Sequence, residues 1–166
     1  MTQYNVNAMM QDMAQDLKQK CASSDPLMIG IHTGGVWVAE QLHGLMGLSQ
    51  PLGSLNISFY RDDFTRIGVH PQVKPSKIPG SVEDQCIILV DDVLYTGRTI
   101  RAALNEIFDY GRPKSIHLAV LVDRGGRELP IQADVVGKHI QLDSGEQIKL
   151  SGPSPLELSI VQSKEN

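Results

Sequence analysis

Cys86-Ile-Ile-Leu-Val-Asp91-Asp92-Val-Leu-Tyr95-Thr96-Gly97-Arg98-Thr99 runs from an apolar stretch through two adjacent acids into a turn of small residues. Ile87 to Val90 is short, unbroken and rich in β-branched residues, the pattern of a strand buried on both faces of a parallel sheet. That reading puts Asp91 and Asp92 at the strand's carboxyl end. Ile100, Ala103, Leu104 and Ile107 then recur at i, i+3, i+4 and i+7, so the turn is predicted to open a helix with Thr96 or Thr99 near its N-cap.

A strand, loop and helix N-terminus in this order make an anion site. The helix end offers unpaired amides and a partial positive charge, Gly97 lets the backbone approach a phosphate closely, and Thr96 and Thr99 add hydroxyl donors. Two carboxylates beside a phosphate would repel it. They are suited to accept hydrogen bonds from sugar hydroxyls or to face a hydrated Mg²⁺, and a phosphorylated sugar satisfies both halves of the motif. The P-loop is excluded, because its first glycine is missing and Arg98 stands where its lysine belongs; no G-x-G-x-x-G fingerprint occurs in the chain.

Val90 to Thr99 resembles the phosphoribosyl pyrophosphate (PRPP) signature of type I phosphoribosyltransferases. With Tyr60-Arg-Asp-Asp63 and Ala119-Val-Leu-Val-Asp-Arg-Gly-Gly-Arg-Glu-Leu-Pro-Ile131, it is similar to the PyrR family of pyrimidine-operon attenuators, over about residues 27 to 140. The resemblance implies an α/β fold with an open, mostly parallel sheet flanked by helices, a flexible hairpin lid and a small C-terminal hood. It also implies a Mg²⁺-dependent uracil phosphoribosyltransferase of pyrimidine salvage, making UMP and pyrophosphate from uracil and PRPP. The second role it implies is a regulator that senses UMP or UTP and binds messenger RNA.

With 166 residues and 41% hydrophobic content the chain is long enough for one well-buried domain spanning 1–166. A formal net charge of −4 gives no global attraction to nucleic acid or anionic membrane. The two cysteines, Cys21 and Cys86, have no metal-ligand spacing, and the sequence contains neither a signal-type segment nor a long apolar span, so a reduced, cytoplasmic protein is expected.

From the N-terminus, Val6, Met9, Met10, Met13 and Leu17 mark an amphipathic helix over 6–20. Leu27 to Ile31 reads as a buried strand, followed by His32-Thr33-Gly34-Gly35 and a helix carrying Val36, Ala39, Leu42 and Met46. This loop has the amides and glycines to hold a second anion. By resemblance it is the pyrophosphate loop; Gly34 stands where relatives often carry arginine, which leaves His32 as the nearest cationic candidate. Trp37 beside it is expected to pack rather than stack on a base. Leu55, Ile57 and Phe59 alternate with polar residues as a strand ending at Arg61, whose planar guanidinium suits a diphosphate. Residues 64–84 are basic and rich in proline and glycine, and by resemblance form the lid that closes over PRPP.

Downstream, Gly111-Arg112-Pro113 ends the helix, and Ile116, Leu118, Val120 and Leu121 supply a strand leading to Asp123 and Arg124. Val135 to Lys138 gives another short strand and turn. Ile140–Leu142 and Ile148–Leu150 read as a hairpin around Gly145, with Leu156, Leu158 and Ile160 as an edge strand. Ligands of open α/β sheets gather at the carboxyl edge, so the loops converge on one cleft.

Displacement of pyrophosphate builds positive charge on the ribose and negative charge on the leaving group. Asp91 and Asp92 would hold ribose hydroxyls or face the metal ion, while the segment Tyr95, Thr96, Gly97, Arg98 and Thr99 anchors the 5-phosphate. Mg²⁺, Arg61 and the loop His32, Thr33, Gly34 and Gly35 would stabilise pyrophosphate. Phosphoribosyltransferases for 6-oxopurines commonly carry a catalytic acid four residues after the first acid of the pair, where this chain has Tyr95. That departure favours a pyrimidine base, met by the loops holding Asp123, Arg124, Arg127, Val136 and Lys138. For RNA, the chain keeps basic Arg127 and Lys138 but has Gly126 and Gln132 where regulatory relatives tend to carry histidine and arginine. The family also forms dimers and larger homo-oligomers.

Overall fold

The computed structural model describes residues 2–21, 25–57 and 75–164. In chain order these form β1 (Thr2–Tyr4), α1 (Val6–Lys20), β2 (Leu27–Ile31), α2 (Gly34–Met46), β3 (Gly53–Leu55), β4 (Cys86–Leu94), α3 (Arg98–Tyr110), β5 (Ser115–Asp123), β6 (Val135–His139), β7 (Glu146–Ser151) and β8 (Glu157–Gln162). The five-stranded sheet has the order β3-β2-β4-β5-β6 and every pairing in it is parallel. This is the expected open sheet of the type I phosphoribosyltransferase fold.

Each central strand feeds two cores because its side chains alternate between faces. Ile88 and Val90 of β4 join Met28, Ala119 and Leu121 against α1 and α2, where Met10, Met13, Leu17, Val38 and Leu42 are buried. Ile87 and Leu89 join Leu27, Ile29 and Val120 against α3 through Ile100, Ala103 and Ile107. The methionine stripe of α1 is core filler, as its spacing predicts. Helix α2 lies unusually close to β2: a Cβ on Gly30 would stand 2.9 Å from both Ala39 Cβ and Val36 Cα.

The chain leaves β2 outward to β3 and returns at β4 to continue outward through β5 to β6. The strand order therefore reverses between β2 and β4, and their carboxyl ends flank the crevice where open α/β sheets take ligands.

Three sequence expectations need correction. Strand β4 does not stop at Val90 but continues through both acids to Leu94, because β5 keeps pairing with it up to Leu94 and Asp123. The strand expected from Leu55 onward begins at Gly53 and, in the described residues, ends at Leu55. The C-terminal pairing is also different. β7 pairs with β8, not with 140–142, and β8 is the middle strand of an antiparallel sheet β1-β8-β7, because the unexpected β1 takes its other side. This sheet is the small hood, and Trp37 packs against it: a Cβ on Gly152 would stand 3.0 Å from the indole. The described part of the segment 64–84, from 75 onward, is fastened to the body of the fold. Ser54 and Lys77 exchange backbone hydrogen bonds of 2.8 and 2.7 Å, Ser76 Oγ accepts from Asn56 N, and Val82 is buried. Residues 64–74 lie outside the described residues.

Among the described residues no helix is long and apolar enough to cross a membrane.

Candidate active site

Asp91 and Asp92 sit in the last turn of β4's ladder, where the backbone is already held by β5 through Asp91 and Val120. Asp91 is 5% exposed, and its Oδ1 accepts from the Asp92 amide at 2.9 Å. Asp92 is half-buried, with Oδ1 accepting from the Val93 amide at 2.8 Å. Each acid is thus braced by the next amide in the chain.

The loop after β2 comes directly against these acids. His32 donates its amide to Leu55 O at 2.8 Å, the His32–Thr33 peptide is cis, and Thr33 is the N-cap of α2. Gly34 and Gly35 are required by space: a Cβ on Gly34 would fall on the Asp92 carboxylate, and one on Gly35 would stand 2.8 Å from Val90 O and 3.0 Å from Asp91 Cα. The arginine position of relatives is glycine here, and the Asp92 carboxylate faces it. The expected pyrophosphate loop and the expected ribose acids therefore line one crevice.

On the other side of the acids the turn leads into α3. The N-cap is Gly97, at φ +93°, and not Thr96 or Thr99. A threonine would be strained at that backbone angle, and the hydroxyl of Thr96 instead accepts from Arg98 N at 3.2 Å. Gly97 offers no capping side chain, so beyond the Arg98 amide the first turn of α3 has no side-chain cap, the condition in which a helix N-terminus can anchor a phosphate.

The loop after β5 is fastened to this turn. Thr96 O accepts from the amides of Glu128 and Leu129, at 2.9 and 3.2 Å, and Leu94 O accepts from Arg124 N at 3.1 Å. Arg98 Nε pairs with Glu128 Oε2 at 2.7 Å, an exposed ion pair. Arg127 fastens it from below: Nε donates to Ile131 O at 2.9 Å, Nη1 to Tyr95 O at 2.7 Å, and Nη2 to Asp123 Oδ2 at 2.6 Å. Burial alone would raise the Asp123 carboxyl, but the Arg127 hydrogen bond, the Gly125 amide and the charges of Arg127 and His139 hold it below the usual carboxylate range. The guanidinium of Arg124 lies 3.8 Å over the Tyr95 ring. Its buried Nε has no hydrogen-bond partner among the described residues.

These contacts sort the sequence-predicted residues. His32, Thr33, Gly34, Gly35, Asp91, Asp92, Tyr95, Thr96, Gly97, Arg98 and Thr99 border the reversal between β2 and β4, and Asp123, Arg124 and Arg127 are joined to it through Tyr95 and Thr96. Val136 and Lys138 lie on β6, paired with Val120 and Val122, with Lys138 exposed. Arg61, with Tyr60, Asp62 and Asp63, lies outside the described residues. Sequence reasoning missed Glu128 and Ile131 as supports; Glu128 meets Arg98 thirty residues away, which only the pairing of β4 with β5 brings near, whereas the Ile131 carbonyl meets Arg127 four residues away.

For a hydrated Mg²⁺ the donors are suitable. Asp91 and Asp92 supply hard carboxylate oxygens next to the glycine loop, and Mg²⁺ binds through one or two carboxylates plus substrate phosphates.

Comparison with known proteins agrees with this geometry. Residues 3–152 match the model of the phosphoribosyl transferase domain. The bifunctional protein PyrR of Nitrosococcus oceani is 64% identical over 161 residues, covering 94% of this chain and 91% of that protein. The bifunctional protein PyrR of Pseudomonas paraeruginosa is 56% identical over 149 residues, 88% of each chain. Among solved structures, a hypoxanthine-guanine phosphoribosyltransferase of Bacillus anthracis superposes with a TM-score of 0.71 at 16% identity, over 94% of this chain and 93% of that one, a likeness of fold. With its sheet reversal, acid pair and glycine loop in the phosphoribosyltransferase arrangement, the chain belongs to the phosphoribosyltransferase domain family and, within it, to the family of bifunctional PyrR proteins.

Proposed function

We propose that the protein transfers ribose 5-phosphate from PRPP to uracil, releasing pyrophosphate and forming UMP. The observation that carries this reading is the shared crevice in which the Asp92 carboxylate abuts Gly34, with the α3 N-terminus at its other end. One PRPP molecule needs these three groups together: amides of 96–99 for the 5-phosphate, Asp91 and Asp92 for the ribose hydroxyls, and the 32–35 loop for pyrophosphate. Holding each end fixes the anomeric carbon against the base. The two carboxylates also favour the cationic character of the ribose as pyrophosphate departs. Asp91 or Asp92 would hold a Mg²⁺ ion, which would supply neutralisation of the leaving charge. Arg61 would add a bidentate contact, and the 64–74 segment would close over PRPP and exclude water.

The base is read as uracil because of Tyr95. A 6-oxopurine enzyme would present an acid there, whereas this chain presents a phenol ring covered by Arg124. Cytoplasmic location and a homo-oligomeric state belong to the same proposal.

A second role, as a uridine-nucleotide-sensing regulator that binds messenger RNA, is favoured by the 64% identity to a protein named bifunctional. Arg127 is a poor phosphate contact for it, since all three guanidinium nitrogens already donate within the protein. Exposed Lys138 and His139 at the end of β6 remain available to a backbone.

The test is steady-state nucleotide formation from PRPP and Mg²⁺ with uracil or hypoxanthine, run beside Asp92→Asn. Turnover of uracil alone, lost in the variant, supports the proposal. Turnover of neither base overturns the catalytic reading, and salt-dependent RNA binding in that event would leave the regulator.

A further inference from the structure

The fold brings together three side chains that sequence spacing separates. Cys21 closes the C-terminus of α1, Cys86 opens β4, and His117 lies on β5, one residue pair further along the β4–β5 ladder than Ile116. The two thiol sulfurs and one imidazole nitrogen all lie within 4.8 Å of one another. Cys86 and His117 point to the same face of the sheet as Ile88 and Ala119, the face that α1 covers. Cys21 is buried and the other two are half-buried, so the cluster has a dry floor and an opening to solvent.

We propose that Cys21, Cys86 and His117 form a binding site for a thiophilic divalent cation of the Zn²⁺ type. Two sulfurs and one imidazole are the donors that Zn²⁺ selects, and tetrahedral coordination leaves the fourth position to water. Donor separations in such a site, set by metal–ligand bonds of about 2.0–2.3 Å, are roughly 3.5–4 Å, so the observed cluster needs only a small contraction. Metal–sulfur bonds form as the two thiol protons leave to solvent; no electrons are transferred. The bound ion would pin the end of α1 to β4 and β5, three segments with no covalent link at this point. It is also distinct from the catalytic crevice: Cys86 opens β4 and Asp91 stands five residues on, about 16 Å away along the strand. Mg²⁺, which prefers oxygen ligands, has no claim on the site.

The reduced full-length protein should bind one equivalent of Zn²⁺ against a chromophoric chelator, in the presence of excess Mg²⁺. Co²⁺ in its place should give the near-ultraviolet sulfur-to-cobalt charge-transfer band. Loss of an outer partner alone costs about 10–100-fold in metal affinity, so Cys86→Ser should weaken Zn²⁺ binding by more than about a hundredfold, and His117→Gln should weaken it measurably. Both positions are half-buried, and nucleotide formation by the two variants should match the parent, showing that they fold. In the unsubstituted protein, Zn²⁺ should also slow alkylation of Cys21 and Cys86. Absence of the cobalt–thiolate band, or Zn²⁺ binding of equal strength in Cys86→Ser, overturns the proposal.

Discussion

Arg127 Nη2 lies 2.6 Å from Asp123 Oδ2, and the pair is largely enclosed, with side chains 24% and 10% exposed. Because the same guanidinium also holds Tyr95 O and Ile131 O, it joins the end of β5 to the turn before α3. Arg127→Ala leaves a carboxylate and two carbonyls without their donor and should lower stability by about 2–3 kcal/mol. Arg127→Lys keeps the charge but not the fork, and should recover less than half of that loss. Urea midpoints at constant slope measure both.

Acid should act partly through Asp123. Its carboxyl is held below the ordinary range, so the folded state binds its proton less readily than the unfolded chain does. The stability it contributes is full above the unfolded-chain value of about 4 and is lost as the pH falls through the lower folded value. Asp123→Asn should therefore show a shallower decline of melting temperature below about pH 4 than the parent, from a lower starting value at neutral pH. An unchanged acid slope would refute this.

The two glycines of the 32–35 loop should separate activity from stability. Alanine at 34 meets the Asp92 carboxylate, the far end of a half-buried side chain, which can rotate off its bond to the Val93 amide and so leave the position it needs for PRPP; kcat/KM for PRPP should fall about a hundredfold with little change in melting temperature. Alanine at 35 meets the backbone of Val90 and Asp91, which cannot move cheaply, so it should destabilise the fold by about 1–3 kcal/mol.

Gly126 has φ +82°, and a Cβ there would stand 2.5 Å from Tyr95 Cε2. Gly126→Ala should displace the ring from under Arg124 and cost about 1–2 kcal/mol through the left-handed backbone alone. Tyrosine fluorescence and the KM for uracil should both change; a KM equal to the parent's would remove Tyr95 from the base side.

The sequence made the core of the molecule legible because its signals there are local. Leu27–Ile31 and Ile87–Val90 are apolar runs, and α1 and α3 carry their buried residues at helical spacing. The rest depended on partners distant in the chain. Asp91 and Asp92 do not read as strand residues, yet β5 keeps them in one. Alternation in 140–142, 146–151 and 157–162 fits several pairings, and no local signal says that β8 lies between β7 and the three-residue β1. Most of the candidate site residues follow from motif; the clamp by Arg127 and the meeting of Cys21, Cys86 and His117 arise only when strands lie side by side.

That β4 runs on through its acids bears on how a substrate is received. Main-chain pairing with β5 at Asp91, Val93 and Leu94 fixes the backbone that carries both acids before anything binds, so no backbone ordering entropy is spent there when PRPP arrives. The cost of organising the complex falls on other segments. In hydrogen-exchange experiments the amides paired along Asp91 to Leu94 should be as slow without PRPP as with it, and the strand beneath the acids should behave as a rigid anvil against which the reacting sugar is held.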